Sequence, residues 1–224
     1  MKRDLLKVCL EENTPLWNQC LDTPFLQGIA QGTLPEDCFK GYIVDDSLYL
    51  REYSKVFAWG MLHAQDMAEI RAYYSLLSFV NEGEGATRRQ YLKKYGLTDE
   101  SIQHLPLRPE NRAYVDRMIE GARDGEGAAE CLMASLPCML SYGYIFRKMV
   151  ERNPGVLDTV YGPFVRDYAG EKYEESCRQW MEFAEKVCKE LPEERWETCR
   201  KLFWDCSVHE QKFWEMSQNP REDV

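Results

Sequence analysis

Apolar residues recur along most of this chain at intervals of three and four positions, the spacing of one face of an α-helix. No segment of the sequence shows the strict alternation of a half-buried strand. Pro24 after a threonine, and Pro35 before two acids, are typical of a first helical turn. Stops or weak points are predicted at Gly83, Gly85, Gly96 and Gly155. The predicted helices span 2–21, 24–31, 35–63, 66–94, 109–123, 126–152, 156–169, 171–190 and 192–217.

The segment from Leu132 to Met149 is apolar nearly all the way round, which predicts a central, buried helix. Residues 104–109 (HLPLRP) have the composition of a loop, and no repeat of fixed period interrupts the helical pattern. A chain of 224 residues can bury one sizeable core. We therefore predict an all-α, single-domain bundle of roughly eight or nine helices over residues 1–224.

The chain is acidic, with a formal net charge of -10 and a sequence pI of about 5.0. Lysine and arginine are interspersed with glutamate and aspartate, and no basic stripe is visible. A protein that binds nucleic acid needs such a stripe to neutralise phosphates, and anionic membrane surfaces attract basic segments. The charge pattern therefore predicts that neither nucleic acid nor a membrane is a partner.

The nine cysteines form no CxxC motif, and with the three histidines they show no zinc-ligand spacing. Their number is odd, so they cannot all pair, and most occupy apolar positions like small core residues. This usage favours a reducing compartment and predicts no metal site. The N-terminal MKRDLLKVCLEEN lacks the apolar run of a signal peptide. No stretch approaches the roughly 18 apolar residues of a membrane span, so a cytoplasmic location is expected.

One carboxylate interrupts the apolar stripe of the predicted helix 35–63. The position seven after Phe39, which would complete the stripe, is Asp46. A carboxylate on the core face is costly unless it is paired or hydrogen-bonded. Asp46 is therefore either a structural acid held by a hydroxyl or an arginine, or a functional group. Tyr49 shares its side of the helix, whereas Asp45 points about 100° away and is expected in solvent.

The last predicted helix contains the same anomaly. Glu210 fills a position of the apolar seam that runs from Trp196 to Trp214. Burial would raise the pKa of this carboxyl toward the range that suits a general acid near neutrality. An ion pair with a basic partner is the structural alternative. His209, next to it, faces elsewhere and is typical of a surface or interface position.

A cysteine and several tyrosines complete the candidate set. Cys138 follows Pro137 in the buried helix, where proline removes a hydrogen bond and kinks the chain, and Tyr142 lies one turn later. A packed core cysteine is the structural alternative. Tyr168 and Tyr114 occupy inward positions that are equally typical of a core. As a set, these acids, tyrosines and thiol suit a pocket for a flat, polar heteroaromatic ring, with the cysteine as nucleophile and the glutamate as proton donor.

Four separated segments resemble motifs of the TenA family, also called thiaminase II or aminopyrimidine aminohydrolase. They are 23–56 (TPFLQGIAQGTLPEDCFKGYIVDDSLYLREYSKV), 135–146 (SLPCMLSYGYIF), 165–173 (VRDYAGEKY) and 209–216 (HEQKFWEM). They follow one another in the family's order and cover nearly the whole chain. The resemblance implies a haem-oxygenase-like all-α fold and assembly as a homotetramer. It also implies hydrolysis of aminopyrimidine compounds related to thiamin, without a metal or organic cofactor.

The resemblance further implies roles for individual residues. Cys138 matches the family's catalytic cysteine, Asp46 the aspartate that holds the pyrimidine edge, and Glu210 the acid that serves the leaving group. The pocket tyrosines that stack on or hydrogen-bond to the substrate are matched by Tyr49, Tyr142, Tyr168 and Tyr114. Leu48, where an aromatic residue is common, departs from the family's pattern. The substrate therefore stays open among thiamin, its aminomethylpyrimidine fragment and degraded thiamin derivatives.

Two other classes of function compete with this interpretation. A haem or di-iron oxygenase would share the fold, but the first helix has no histidine and no helix contains a Glu-x-x-His pair. A non-catalytic binding or regulatory homologue has no evident use for both Cys138 and Glu210. The family resemblance therefore remains the favoured interpretation, and it implies a hydrolase of thiamin salvage that acts through Cys138.

Overall fold

A computed structural model describes residues 4–78, 80 and 85–224 of the chain. Its regular secondary structure over these residues is helical. The α-helices are α1 (Leu5–Cys20), α2 (Pro24–Gln31), α3 (Glu36–His63), α4 (Met67–Ser78), α5 (Gly85–Lys94), α6 (Asp99–Ile102), α7 (Pro109–Asp124), α8 (Ala128–Arg152), α9 (Gly162–Ala169), α10 (Glu171–Cys188) and α11 (Glu193–Ser217). A 3₁₀-helix, Pro154–Asp158, joins α8 to α9. The predicted all-α class is thus confirmed.

Helix ends follow the local chemistry that the sequence indicated. The Asp4 side chain accepts a hydrogen bond from the Lys7 backbone N–H at 3.1 Å and so caps the start of α1. Pro24 begins α2, and Gly32 ends it in the left-handed conformation at φ 70°. The predicted stop at Gly96 is also a left-handed turn, with φ 69°, which glycine adopts without strain. These caps set the lengths of the segments that enclose the core.

The apolar segment of α8 lies at the centre of the bundle, as predicted. Residues 128–143 of this helix are all buried, and the helix continues through Pro137. α11, α10, α7, α3 and α9 all pack against it, and α11 also packs against α1 and α7. The central position of α8 brings side chains from α3, α7 and α11 within reach of its middle turns.

Two predicted helices are divided in the structure. The predicted span 66–94 contains α4 and α5, and the predicted weak point at Gly83 lies outside the described residues. The predicted span 156–169 contains the 3₁₀-helix and then α9, because the chain folds back tightly before Gly162. A Cβ atom at Gly162 would lie 2.1 Å from the Leu157 carbonyl oxygen, so only glycine fits there.

The short helix α6 was not predicted. It is a single turn closed by a capping box in which Thr98 and Ser101 each bond the other's backbone N–H. Over the described part of the chain, no helix combines the length and apolar character that a membrane span requires. All nine cysteines are buried thiols that form no disulfide, which agrees with the expectation that most of them are small core residues.

Candidate active site

Three helices bring the predicted thiol and carboxyl groups together beside the middle of α8. Asp46 lies on α3, Cys138 on α8 and Glu210 on α11. All three residues are buried, with exposed fractions of 6%, 7% and 1%. Tyr49, Tyr114 and Tyr142 lie close enough for the charges of Cys138 and Glu210 to raise the pKa of each tyrosine hydroxyl. We call these six residues the central cluster.

Glu210 is held by a tyrosine and has no basic partner among the described residues. Its Oε2 accepts a hydrogen bond from the Tyr114 hydroxyl at 2.8 Å. Burial raises the pKa of Glu210 to about 8, with a smaller rise from the negative charge of Asp46, while the Tyr114 hydrogen bond acts in the opposite direction. The carboxyl is therefore largely protonated at neutral pH and can donate a proton. His209, which is partly buried, stacks its ring on Tyr114 with centroids 5.8 Å apart.

Asp46 is a buried carboxyl for which the described residues supply no hydrogen bond. Its pKa is raised to about 7, chiefly by burial; the charge of Arg88 opposes this rise and the charge of Asp45 adds to it. Arg88, on α5, donates from Nη1 to Ser47 Oγ at 2.6 Å and to Asp99 Oδ1 at 2.8 Å. A carboxyl that titrates near neutrality can donate to, or accept from, the nitrogen edge of an aminopyrimidine.

Cys138 occupies the turn of α8 that follows the proline. The Tyr53 hydroxyl donates to the Ser135 carbonyl oxygen at 2.9 Å, one turn before the thiol. The Tyr49 ring lies between Tyr53 and Tyr114, with centroid separations of 5.4 and 4.9 Å. Tyr49 and Tyr114 have pKa values well above the usual range because both are buried, so they stay neutral hydrogen-bond donors.

An aromatic wall, formed by Tyr42, Tyr168 and Trp214, packs against Tyr142 of the central cluster. The Tyr142 hydroxyl lies 3.0 Å from the Tyr42 hydroxyl, and Tyr42 stacks on Trp214 at an interplanar angle of 14°. Tyr142 also contacts Trp214 and Tyr168, with centroids 4.8 and 4.9 Å apart. The Trp214 Nε1–H is buried and has no hydrogen-bond partner among the described residues. Flat aromatic faces and a donor of this kind suit a planar, polar ring.

Sequence reasoning found the members of the central cluster but missed two of its neighbours. Tyr42 lies one turn before Asp46 and reaches Tyr142, but in the sequence it looks like an ordinary apolar-face residue of α3. Arg88 carries no signal in its own helix, because its effect on Asp46 comes from tertiary packing. Tyr168 reaches the cluster through the ring of Tyr142.

The expectation for Asp45 was wrong. This residue was expected in solvent, but its exposure is 0% and it pairs with both Arg108 and Arg221. The helical geometry is as assumed, since Asp45 does point away from Asp46. The residues that cover it come from the loop before α7 and from the segment after α11, which the pattern of α3 does not reveal.

The described residues contain no group of three or more histidine, cysteine, aspartate or glutamate side chains placed to hold a metal ion. The chemistry within reach is that of a buried thiol and two buried carboxyls with pKa values of about 7 and 8. Such a set can perform nucleophilic catalysis with proton transfer to a leaving group.

The fold is that of haem-oxygenase-like proteins. A TenA family transcription regulator from Silicibacter superposes with a TM-score of 0.85 at 22% identity, over 96% of this chain and 97% of that one. A domain of unknown function with a heme oxygenase-like fold, from Shewanella denitrificans, superposes with a TM-score of 0.75 at 14% identity, over 97% and 93%. The predicted haem-oxygenase-like architecture is therefore confirmed.

The chain belongs to the TENA/THI-4/PQQC family, whose model matches residues 10–219. An aminopyrimidine aminohydrolase of Halalkalibacterium halodurans is 28% identical over 212 residues, which make up 94% of this chain and 94% of that protein. An aminopyrimidine aminohydrolase of Helicobacter pylori is 27% identical over 203 residues, with 90% and 93% covered. The predicted family is confirmed.

Proposed function

We propose that this protein is a cysteine-dependent hydrolase of aminopyrimidines in thiamin metabolism. It would convert 4-amino-5-aminomethyl-2-methylpyrimidine to the corresponding hydroxymethyl compound, with thiamin as a second substrate. The observation that carries the proposal is that Cys138, Asp46 and Glu210 come from three helices, are all buried, and all lie near Tyr142. The aminohydrolase relatives named above support the same class of substrate.

The reaction proceeds in two stages that balance. The Cys138 thiolate forms an S–C bond to the pyrimidine ring, and the electron pair released into the ring expels the amine from the exocyclic methylene. Water then adds to that methylene, and the S–C bond breaks to return the thiolate. The net change is an amine plus water giving an alcohol plus ammonia, so no oxidant or cofactor is required.

The two carboxyls divide the proton transfers. Asp46, with a pKa of about 7, bonds the nitrogen edge of the ring and makes it more electrophilic when it holds a proton. Glu210, with a pKa of about 8, delivers a proton to the leaving amine. Tyr49, Tyr142, Tyr168 and Tyr114 stack on the ring or donate hydrogen bonds to it.

The proposal includes the assembly and location that the family resemblance implies, a homotetramer in the cytoplasm with no nucleic acid or membrane partner. Sedimentation of the purified protein at several concentrations measures the mass of the assembly. A single species of four chains supports the homotetramer, and a monomer at all concentrations rules it out.

The function is tested with the purified protein, Cys138→Ala and Cys131→Ala. Cys131 is a matched control because it is a buried thiol on the same helix, two turns earlier. Each protein is incubated with the aminomethylpyrimidine or with thiamin, and the hydroxymethylpyrimidine is followed by chromatography. We expect product from the unmodified protein and Cys131→Ala only, and the faster substrate separates salvage from thiamin breakdown. Folded proteins that turn over neither compound would instead favour a binding or regulatory role.

A further inference from the structure

A second acid lies beside Asp46 and is fully paired. Asp45 Oδ1 accepts a hydrogen bond from Arg221 Nη1 at 2.7 Å, and Arg108 Nη2 donates to Asp45 Oδ2. The side chains of Asp45 and Arg221 are 0% and 2% exposed, so solvent barely screens this pair. We call Asp45, Arg108 and Arg221 the arginine clamp.

The arginine clamp fastens two parts of the chain, the loop before α7 and the segment after α11, to one turn of α3. Arg221 also donates to the Pro106 carbonyl oxygen at 2.9 Å, and Arg108 donates to the Asn219 carbonyl oxygen at 2.9 Å. The segment after α11 approaches α3 closely, since a Cβ atom at Gly41 would lie 3.0 Å from the Arg221 backbone nitrogen. Bonds from several directions leave the backbone at residue 45 little freedom to shift.

The same turn is tied to the helix that carries Tyr114. Asn111 Nδ2 donates to the Asp45 carbonyl oxygen at 2.9 Å, and Asn111 is 0% exposed. Tyr114 lies three residues further along α7, on the same side, and bonds Glu210. The clamp therefore fixes the spacing between α3 and α7 next to the central cluster.

Asp46 faces charged and titratable groups from every neighbouring side. Arg88 of α5 lowers its pKa and Asp45 of α3 raises it, while Glu210 of α11 and Tyr142 of α8 interact with it through their own charges. The positive charges of Arg108 and Arg221 offset the negative charge of Asp45, and Arg221 also pairs with Asp223 at 2.7 Å. Asp45 is adjacent to Asp46 in the sequence, so a change in the net charge around Asp45 changes the electrostatic potential at the Asp46 carboxyl.

We propose that Asp45 is a positioning residue, clamped by Arg108 and Arg221, that fixes the orientation and the protonation state of Asp46. The inference rests on the proposed function for any effect on catalysis. The orientation and protonation of Asp46 can be measured whether or not that function is correct. Orientation follows from the bonds that hold the Asp45 turn. Protonation follows from the charge balance of the clamp, because a like charge disfavours ionisation of Asp46 and an opposite charge favours it.

The test measures the titration of Asp46 directly, by NMR of protein labelled with ¹³C at the aspartate carboxyl, assigned with Asp46→Asn. Asp45→Asn removes a negative charge and leaves two arginines, so the pKa of Asp46 falls. Arg221→Gln leaves Asp45 less neutralised, so the pKa of Asp46 rises. Each shift is expected on the order of half a unit to one unit. Arg221→Lys keeps the charge and is expected to restore the original titration.

Opposite shifts in the two variants support the proposal, because loss of packing alone has no reason to change sign with the removed charge. Shifts in one direction, or none, overturn it. Arg108→Gln is also expected to raise the pKa of Asp46, so the result does not depend on the folding of a single variant. Turnover of the aminomethylpyrimidine is assayed in parallel. An inactive unmodified protein would reject the proposed function, while the titration would still decide the role of Asp45.

Discussion

Asp45 and Asp46 are neighbours on α3, both are buried, and their surroundings are opposite. Asp45 is paired with two arginines, whereas the described residues supply no hydrogen bond for Asp46. Burying an acid without a partner costs free energy, so a protein gains nothing in stability from Asp46 as it stands. The proposed function accounts for the difference, because it gives Asp46 a substrate to bind and gives Asp45 the task of holding the turn that carries Asp46.

A second pair of buried acids, Glu130 on α8 and Glu210 on α11, repeats the contrast. Glu130, 2% exposed, receives two hydrogen bonds from Arg195 at 2.8 and 2.7 Å, the bidentate geometry of a structural ion pair. Glu210, 1% exposed, receives only a tyrosine hydroxyl, and burial raises its pKa to about 8. Lack of a cationic partner thus separates the cluster acids from the structural acids in both pairs.

The largest effect is expected for Glu210→Gln, which keeps the shape of the side chain and removes its proton. Activity should fall by about 10²- to 10⁴-fold, the usual contribution of a general acid. The free energy of unfolding at pH 8 should rise by about 1–3 kcal/mol. Folding raises the pKa of Glu210 from 4.5 to about 8. The folded protein therefore loses stability as pH rises through this range, because the carboxyl ionises more readily in the unfolded chain. Glutamine does not ionise and avoids that loss. Product formation and denaturant titrations measure both quantities.

Glu130→Gln is the matched control for that variant, since it weakens a buried ion pair. It should lower the free energy of unfolding and leave the rate per folded molecule unchanged. If the two glutamine variants changed stability in the same direction, the distinction between the two kinds of acid would be lost.

The next largest effect is expected from asparagine at the two adjacent positions of α3. Asp45→Asn leaves Arg108 without its carboxylate and Arg221 with Asp223 alone, and should cost about 3 kcal/mol or more at pH 7 to 8. Asp46→Asn removes an acid whose pKa is raised from 3.8 to about 7, so it should leave stability unchanged or raise it in that range. Denaturant midpoints at pH 8 give both values. Equal destabilisation of the two variants would contradict the contrast drawn above.

The sequence revealed the cluster acids for a definite physical reason. Asp46 and Glu210 interrupt stripes that are otherwise apolar, and a helix with a period of 3.6 residues shows such an interruption without any tertiary information. The apolar run of α8 likewise predicted its central position, because a helix that is apolar on all sides is stable only when covered. The family motifs then assigned roles that the periodicity alone left open.

The features that the sequence did not reveal depend on contacts between distant segments. Asp45 is covered by Arg108 and Arg221, which are 63 and 176 residues away along the chain. No local pattern encodes such a pairing. The division of 156–169 depends on the close approach at Gly162, which reads in sequence as an ordinary glycine. Local periodicity therefore predicted where the helices lie and which of their faces are buried. It predicted less well which residues cover each face.

A smaller effect, about tenfold per pH unit, is expected in the pH dependence of the reaction. Glu210 has a raised pKa of about 8 and must hold a proton to donate it, so the rate should fall as pH rises above that value. Rates from pH 6 to 10 with saturating aminomethylpyrimidine measure this limb. In Glu210→Gln the same limb should be absent, and its persistence would assign the ionisation to a different group.

The smallest effect is expected for Tyr42→Phe, which removes one hydroxyl from the aromatic wall. The Tyr142 hydroxyl would lose its bond to Tyr42 at 3.0 Å, at a cost of about 1 kcal/mol in the free energy of unfolding. KM should rise several-fold, because Tyr142 is no longer oriented beside the acids. Tyr161→Phe is the control, since its hydroxyl donates to the Leu34 carbonyl at 2.6 Å, outside the central cluster. Both variants should lose similar stability, and only Tyr42→Phe should change KM. An equal change of KM in both would mean that general loosening, and not the orientation of Tyr142, controls binding.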